Sequence, residues 1–318
     1  MAEKTLVSIF CVTYNHRPYI QQCLDSLLEQ KTDFPFEVII HDDASTDGTA
    51  EIIREYELRF PHIVVPILQK ENQYSKGNHA IIASFMMCRA RGEYICICEG
   101  DDYWCDLERL QRQTYFLKNN IKYGMCYSKV AQYIQRDNKF SRYSFGGPAE
   151  TTIELMQGNC VPTLSTCIRR DLYVRYLEEI QPERKNWKMG DYPLWLWVSY
   201  NSKIHYENRI TGVYRVLQES ASHTDDISKW LTYFKSIQDI TRFFSLKYNI
   251  PVKKMYIEYD ENLAKRIFAF NTLNRLMLVE VLSKAGGLSL KGNICLMLCK
   301  SRLLFWIVVL YKEYLYDR

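Results

Sequence analysis

The stretch Glu93-Tyr94-Ile95-Cys96-Ile97-Cys98-Glu99-Gly100-Asp101-Asp102-Tyr103-Trp104 decides the predicted fold of this chain. Its first half is an apolar run of strand length, which predicts a buried strand. Two adjacent carboxylates, Asp101 and Asp102, follow that strand. An open α/β sheet binds its ligand at the carboxyl ends of its strands. Neighbouring carboxylates repel each other and are tolerated best beside a divalent cation or hydroxyl groups, so this pair is the predicted chemical centre.

Strand and helix patterns alternate on the N-terminal side of that stretch. Short apolar runs predict four strands, at 6–13, 36–40, 63–68 and 93–99. Apolar residues at helical spacing predict the connecting helices, at 20–28, 52–60 and 81–88. This alternation predicts an α/β fold with a parallel, doubly wound sheet. Right-handed crossovers then bring the loops after the first, second and fourth strands to one carboxyl edge.

Those three loops carry the informative polar residues: Thr13-Tyr14-Asn15, Asp42-Asp43-Ala44-Ser45 and Gly100-Asp101-Asp102. No GxGxxG follows the first strand, which argues against a dinucleotide site, and no GxxxxGK[ST] indicates a P-loop. The predicted crevice is therefore lined by acids and flanked by aromatics. Such a crevice suits a ligand rich in hydroxyls and amide-like edges, with its phosphates reached through a metal.

Composition is that of an ordinary globular protein. The chain has 318 residues, 47% of them hydrophobic and 25% charged, which is ample for a buried core. A net charge of +4 is too weak to indicate a nucleic-acid partner. The 11 cysteines lack the paired spacing of a metal site, which predicts reduced thiols in a cytoplasmic protein. No secretory signal is expected ahead of the first strand.

Three blocks of sequence stand in order: Val7-Ser8-Ile9…Thr13-Tyr14-Asn15, Val38-Ile39-Ile40-His41-Asp42-Asp43-Ala44-Ser45-Thr46-Asp47-Gly48-Thr49, and Gly92-Glu93-Tyr94-Ile95…Gly100-Asp101-Asp102. Together they resemble family 2 glycosyltransferases with the GT-A fold, which implies a mixed, mostly parallel sheet with helices on both of its faces. The resemblance predicts a GT-A domain over 1–226 and a helical region over 227–318. It implies an inverting transferase that moves a sugar from a nucleotide-diphosphate sugar to a hydroxyl of a glycan or lipid-linked acceptor, as in surface polysaccharide synthesis. It also implies Mg²⁺ or Mn²⁺.

The resemblance implies that the first two blocks bind the donor nucleotide, through Thr13, Tyr14, Asn15, Asp43 and Ser45. Thr13 and Tyr14 would line the nucleobase pocket, and Asp43 would accept a hydrogen bond from the base. A uracil imide N–H suits a carboxylate acceptor, which favours a UDP-sugar. From the residues alone, Asp42 and Asp43 also fit an N-cap cluster for the following helix.

The third block supplies the acids of the metal site. By the resemblance, Asp101 would face the ribose or sugar, and Asp102 would bind Mg²⁺ or Mn²⁺ against the diphosphate. The alternative for this pair is a solvated turn with an Asx cap.

Asp191 is the candidate general base. It opens the apolar segment Asp191-Tyr192-Pro193-Leu194-Trp195, and Pro193 predicts a helix N-terminus there. The helix dipole is expected to lower the pKa of Asp191. In the resembled family a carboxylate at the corresponding position acts as general base, although this chain has Gly190-Asp191 where many members have Glu-Asp. An N-cap role for Asp191 is compatible with catalysis.

Downstream, the block Tyr214-Arg215…Ser220-Ala221-Ser222-His223 also resembles the family. Arg215 would contact the diphosphate of the donor, and His223 would complete the metal site. The alternative is a strand followed by an ordinary polar loop.

The C-terminal third has long helical periodicity. Apolar stripes over 230–244 and 256–282 predict a helical subdomain, or else a partner-binding face. The apolar runs 294–299 and 303–311 are interrupted by Lys300 and Arg302, which argues against a spanning helix. They predict either a helix in the interface of the cytoplasmic membrane face or a buried or homodimer-forming helix.

Two other functions use similar residues. A metal-dependent nucleotidyltransferase also needs paired acids, but it should carry a basic, glycine-rich loop where this chain has Thr13-Tyr14-Asn15-His16. A catalytically inactive nucleotide-sugar-binding module is disfavoured by the presence of both Asp102 and Asp191.

Overall fold

The computed structural model describes residues 4–217, 227–251, 279, 290–301 and 303–305. The chain divides into two compact units, residues 1–220 and 221–318; the domain boundary after residue 226 stays a prediction from the sequence. His223 and the apolar stripe at 256–282 lie outside the described residues, apart from position 279.

Four parallel strands form one half of the sheet in the first unit, in the order β3-β2-β1-β4. Their bounds are β1 Val7–Thr13, β2 Phe36–Asp42, β3 Val64–Leu68 and β4 Tyr94–Ile97. Helices α1 Ile20–Leu28 and α2 Thr49–Arg59 connect the first three strands. Strands covered on both faces need continuous apolar runs, which is why these strands could be predicted.

The third connection is irregular where the sequence predicts a helix over 81–88. A π-helical turn at Ile82–Met86 leads into a 3₁₀ turn at Met87–Arg89. Phe85, within the π-helical turn, stacks on the buried ring of His41 at 5.2 Å between centroids. Single π-helical turns occur frequently beside functional sites.

The second half of the sheet mixes strand directions. It contains β5 Tyr103–Trp104, β6 Tyr123–Ile134, β7 Lys139–Phe140, β8 Cys167–Arg169 and β9 Lys203–Val216. β8 lies antiparallel between β4 and β6, β9 runs parallel to β6, and β5 pairs antiparallel with β9. The predicted mixed, mostly parallel α/β sheet is confirmed.

The remaining helices of this unit are α3 Arg109–Asn119, α4 Thr152–Gln157, α5 Arg170–Ile180 and α6 Asp191–Asn201. Strand β8 is preceded by a turn, in which the Ser165 and Thr166 hydroxyls donate to the carbonyls of Pro162 and Thr163 at 2.8 Å. In α6 every residue from Tyr192 to Val198 is buried, so the helix carrying Asp191 belongs to the core.

The described part of the second unit is helical. It contains α7 Ile227–Tyr248, α8 Leu290–Lys300 and a short helical segment at 303–305. Phe234, Ile240 and Phe244 of the predicted stripe are buried in α7. No described helix has the length and apolar character needed to cross a membrane.

Candidate functional site

The loops after β1, β2 and β4 meet at one edge of the sheet. The Asp43 amide donates to the Thr13 carbonyl at 3.0 Å, and the Gly100 amide donates to the Val12 carbonyl at 2.9 Å. These bonds hold the three polar loops side by side. The predicted convergence at the carboxyl edge is therefore observed.

Gly100 lets the loop after β4, Gly100-Asp101-Asp102, lie directly against β1; this loop is called the acid loop below. A Cβ atom at this position would come within 2.6 Å of Thr13 Oγ1 and 3.1 Å of His16 Nδ1. Contacts that close exclude any side chain. Gly100 thus allows the backbone just before Asp101 to approach the end of β1.

Three buried polar atoms around this glycine have no hydrogen-bond partner among the residues that the structure describes: Thr13 Oγ1, His16 Nδ1 and Glu99 Oε2. His16 also lies 3.9 Å from the Asp101 carboxylate. Buried polar groups are nearly always paired in folded proteins. These unpaired polar atoms beside Gly100-Asp101 can therefore form hydrogen bonds with a polar ligand.

Glu99, which the sequence reasoning left without a role, stands among the site's acids. Burial, together with repulsion from Asp101 and Asp191, raises the pKa of Glu99 to about 8. Asp191 is therefore near enough to act on Glu99, although the two residues are far apart in sequence. The signal was present, since Glu99 directly precedes Gly100-Asp101-Asp102.

The two adjacent aspartates have different surroundings. The Asp101 side chain is 16% exposed, whereas Asp102 is 2% exposed and its Oδ1 accepts the Arg215 amide at 2.7 Å. Burial, with repulsion from Asp101 and Glu99, raises the pKa of Asp102 well above the ordinary value. The more accessible carboxylate of the pair is thus Asp101.

Arg215 braces the acid loop from within the protein. Its Nε donates to the Asp101 carbonyl at 2.7 Å, and its terminal nitrogens donate to Gln22 and Gln135. Its guanidinium also lies 4.7 Å from the centroid of the Tyr19 ring. Arg215 is buried and these three donors are used inside the protein; the expected contact with the donor diphosphate stays a prediction.

Asp43 holds the loop after β3. Its carboxylate accepts the main-chain amides of Gln73 and Tyr74 at 2.7 and 3.0 Å. Asp42 accepts the amide and hydroxyl of Ser45, and helix α2 instead has Gly48 as its N-cap, without a side-chain cap bond. Neither aspartate caps α2, so the N-cap alternative is wrong.

The predicted nucleotide-binding residues Tyr14, Asn15 and Ser45 lie in two loops that hydrogen bonds hold together. The Asn15 amide donates to Ser45 Oγ at 2.8 Å, and Asn15 Oδ1 accepts the Thr46 amide at 2.8 Å. Asn15 adopts the left-handed conformation. Tyr14 is exposed beside this bracing, so it is the residue here with a free aromatic face.

Asp191 is the first residue of α6, and Gly190 is the N-cap. Thr163 Oγ1 donates to Asp191 Oδ2 at 3.1 Å. Asp191 as a residue is partly exposed, yet burial of the carboxylate raises its pKa, while hydrogen bonds from the Tyr192 amide, Thr163 and Asn159 lower it less. The expected lowering of the Asp191 pKa by the helix terminus is wrong, because desolvation outweighs these bonds.

The loop after β3 also lies next to the segment just before α6. A Cβ at Gly190 would lie 3.7 Å from the His79 carbonyl. The Lys188 ammonium lies 3.1 Å from His79 Nε2, and the His79 ring packs on Tyr74 at 4.5 Å. These contacts connect the loop after β3, whose Gln73 and Tyr74 amides Asp43 accepts, with the segment that leads into Asp191.

Within the described ranges, no group of three or more His, Cys, Asp or Glu side chains is arranged to enclose a metal ion. His223, expected to complete such a site, is outside those ranges. Mg²⁺ commonly takes only one or two protein carboxylates and completes its shell with substrate phosphates and water. The accessible Asp101 beside three unpaired polar atoms fits that mode of binding.

Comparison of the structure with solved proteins identifies the fold. Residues 1–349 of Staphylococcus aureus TarS, in complex with UDP, match with a TM-score of 0.57 and 19% identity, covering 93% of this chain and 79% of that TarS chain. A mannosyltransferase of Pyrobaculum calidifontis in complex with GDP-Man and Mn²⁺ matches with a TM-score of 0.54 and 15% identity, covering 98% of this chain and 89% of that chain. The fold is therefore of the GT-A class.

Sequence comparison identifies the family. The model for Glycosyl transferase family 2 matches residues 8–176. Escherichia coli WfaP, named UDP-Glc:alpha-D-GlcNAc-diphosphoundecaprenol beta-1,3-glucosyltransferase, is 30% identical over 218 residues, covering 68% of this chain and 80% of WfaP. The chain belongs to glycosyl transferase family 2, and its first unit is a glycosyltransferase domain.

The length of the matches varies among relatives. Uncharacterised proteins of Mycobacterium tuberculosis and Mycobacterium bovis are 38% identical over 167 residues, which is 52% of this chain. The chain spans 47% of their length. The family match at 8–176 contains the acid loop, whereas Asp191 and Arg215 lie beyond it.

Proposed function

We propose that this protein is an inverting glycosyltransferase that moves a sugar from a UDP-sugar to a hydroxyl of a glycan or lipid-linked acceptor in surface polysaccharide synthesis. The observation that carries the proposal is the group of unpaired buried polar atoms around Gly100-Asp101. This group lies at the edge of the sheet where the loop after β2, which contains Asp43, bonds to the end of β1. Asp191 is near enough to contribute to the raised pKa of Glu99. The site thus combines a nucleotide side with a candidate base.

The nucleotide is proposed to bind between Tyr14 and Asp43, in the loops after β1 and β2. Tyr14 offers an exposed ring for stacking. The Asp43 carboxylate is buried and holds two main-chain amides; having about four lone-pair sites, it keeps the capacity to accept the imide N–H of a uracil that reaches it. The UDP complex of TarS and the UDP-Glc named for WfaP support this choice of donor.

Asp101 is proposed to hold the divalent cation in place of Asp102, because it is the accessible acid of the pair. Mg²⁺ or Mn²⁺ bound there supplies positive charge that offsets the charge on the leaving diphosphate. Asp102 and Arg215 keep the acid loop in position through the Arg215 amide. Thr13 and Glu99 remain available to donor hydroxyls.

Asp191 is proposed as the general base. Thr163 orients its carboxylate by donating to Oδ2, and a raised pKa brings the group closer to the basicity that proton transfer requires. Asp191 takes the proton of the acceptor hydroxyl, and that oxygen attacks the anomeric carbon from the face opposite the diphosphate. The anomeric configuration inverts in this single displacement.

A donor screen tests the proposal. The full chain is incubated with UDP-glucose, UDP-galactose, their N-acetyl forms, GDP-mannose and dTDP-rhamnose, in Mn²⁺ and in EDTA, and nucleotide release is followed by mass spectrometry. We expect Mn²⁺-dependent UDP release from one UDP-sugar. Formation of UTP and a sugar 1-phosphate when pyrophosphate is added to the UDP-sugar would indicate a nucleotidyltransferase, and binding without any turnover would indicate an inactive module.

A further inference from the structure

Helix α8 of the second unit presents an apolar row to solvent. Leu290, Ile294 and Met297 are 78%, 46% and 58% exposed. Spacings of four and three residues put them on one side of the helix. Gly292 and Cys299, on the opposite side, are buried. Apolar side chains exposed together in this way mark an interaction surface.

The sequence from 281 to 312, which includes this helix, carries charged residues of a single sign. Residues 281–312 contain five Lys or Arg residues and no Asp or Glu. Two of them, Lys291 and Lys300, belong to α8 itself. An exposed apolar row on a helix that carries only cationic charge complements the interface of a membrane that contains anionic lipids.

The dimensions of α8 favour a lipid surface over a second copy of the chain. A helix of 11 residues is about 16 Å long. A row of three side chains on such a helix buries far less than the ~1,600 Å² of a standard stable protein interface. A membrane surface needs no matching partner area, because each apolar side chain partitions into lipid separately.

We propose that the α8 apolar row, Leu290-Ile294-Met297, docks on an anionic membrane surface with α8 lying in the plane of the interface. Leu303 and Leu304, also exposed, extend the apolar contact beyond the helix. Docking brings the protein to the surface where lipid-linked acceptors reside. The inference goes beyond the transfer reaction and does not depend on it.

Vesicle co-sedimentation of the full chain tests this inference. We expect the protein to pellet with phosphatidylglycerol–phosphatidylethanolamine vesicles, to remain in the supernatant with phosphatidylcholine vesicles, and to be released by high salt. The triple variant Leu290→Ser, Ile294→Ser, Met297→Ser should bind the anionic vesicles roughly tenfold or more weakly. A matched control, Leu58→Ser, Ile121→Ser, Leu246→Ser, removes comparably exposed apolar side chains and should bind as the wild type does.

Two results would overturn the inference. One is equal binding of the wild type and the α8 triple variant to anionic vesicles; the other is a wild-type dimer in sedimentation velocity that the triple variant dissociates. If the triple variant fails to fold, Lys291→Gln with Lys300→Gln should still weaken anionic binding several-fold, and unchanged binding counts against docking. UDP titration of the same variants separates the two proposals, since loss of docking leaves nucleotide affinity unchanged.

Discussion

The aspartates of this site differ in how far each is exposed to solvent. Asp102 is enclosed and bonded to the Arg215 amide, whereas Asp101 and Asp191 remain partly exposed. A partly exposed carboxylate can exchange protons or ligands without unfolding its surroundings. This difference underlies the proposed division into a cation-binding acid at 101, a positioning acid at 102 and a base at 191.

Replacing the proposed base should separate turnover from donor binding. We expect Asp191→Asn to lower kcat by about 10²- to 10⁴-fold while leaving UDP affinity unchanged, because a general base acts on the acceptor proton. Asp171→Asn is the matched control, since Asp171 also lies in the first turn of a helix, α5, but is exposed. Near-wild-type turnover of Asp191→Asn would remove Asp191 from the mechanism.

Glu99 should make stability depend on pH. With a folded-state pKa of about 8 against an unfolded value near 4.3, its contribution is fully present at low pH and is lost as pH rises from about 4.3 to 8. In EDTA, Glu99→Gln should therefore raise Tm more at pH 8 than at pH 5, because the substitution removes a destabilisation on the order of 4 kcal/mol at pH 8 and about 1 kcal/mol at pH 5. Differential scanning fluorimetry of Glu99→Gln and of Glu178→Gln, an exposed acid on α5, checks this. Equal gains at both pH values would contradict it.

At the scale of elements, the site depends on the close approach of the acid loop to β1. Strand β1 is buried from Val7 to Cys11, and Gly100 fits against the end of that strand at Thr13. The apolar strands thus fix where the loops start, and the missing side chain at 100 fixes how near they come.

Adding one methyl group at this contact should disturb the whole edge. Gly100→Ala places a Cβ 2.6 Å from Thr13 Oγ1, so we expect a loss of roughly 1–3 kcal/mol of stability and at least tenfold weaker UDP binding. Gly158→Ala is the control, because a Cβ there meets nothing within 4 Å. Chemical denaturation and UDP titration measure both effects. Wild-type nucleotide affinity in a folded Gly100→Ala protein would show that this contact does not shape the site.

Helix periodicity also has a limit that the structure explains. The stretch 81–88 has helix-like spacing of apolar residues, yet it folds as a π-helical turn and a 3₁₀ turn in which Phe85 packs on His41. That contact is made across 44 residues of sequence and leaves no trace in a local pattern. The parallel strands were predictable because burial on both faces is recorded in consecutive residues.

At the scale of the molecule, the sequence predicted which loops meet but not how each acid is used. Order and spacing of the three blocks were enough to place Thr13, Asp43 and Asp101 at one edge. Which of two adjacent aspartates points inward depends on Arg215, more than a hundred residues later. The raised pKa of Asp191 likewise depends on burial by tertiary packing, which its position at a helix start did not reveal.

The central claim is that one crevice binds UDP through a divalent cation at Asp101. Isothermal titration of UDP into the full chain, in Mn²⁺ and in EDTA, tests it most directly, with Asp101→Asn as the variant and GDP as the competing nucleotide. We expect UDP to bind in Mn²⁺, to lose at least tenfold in affinity in EDTA or in Asp101→Asn, and to bind more tightly than GDP. UDP binding of equal strength in EDTA and in Asp101→Asn, or tighter binding of GDP, would contradict the account.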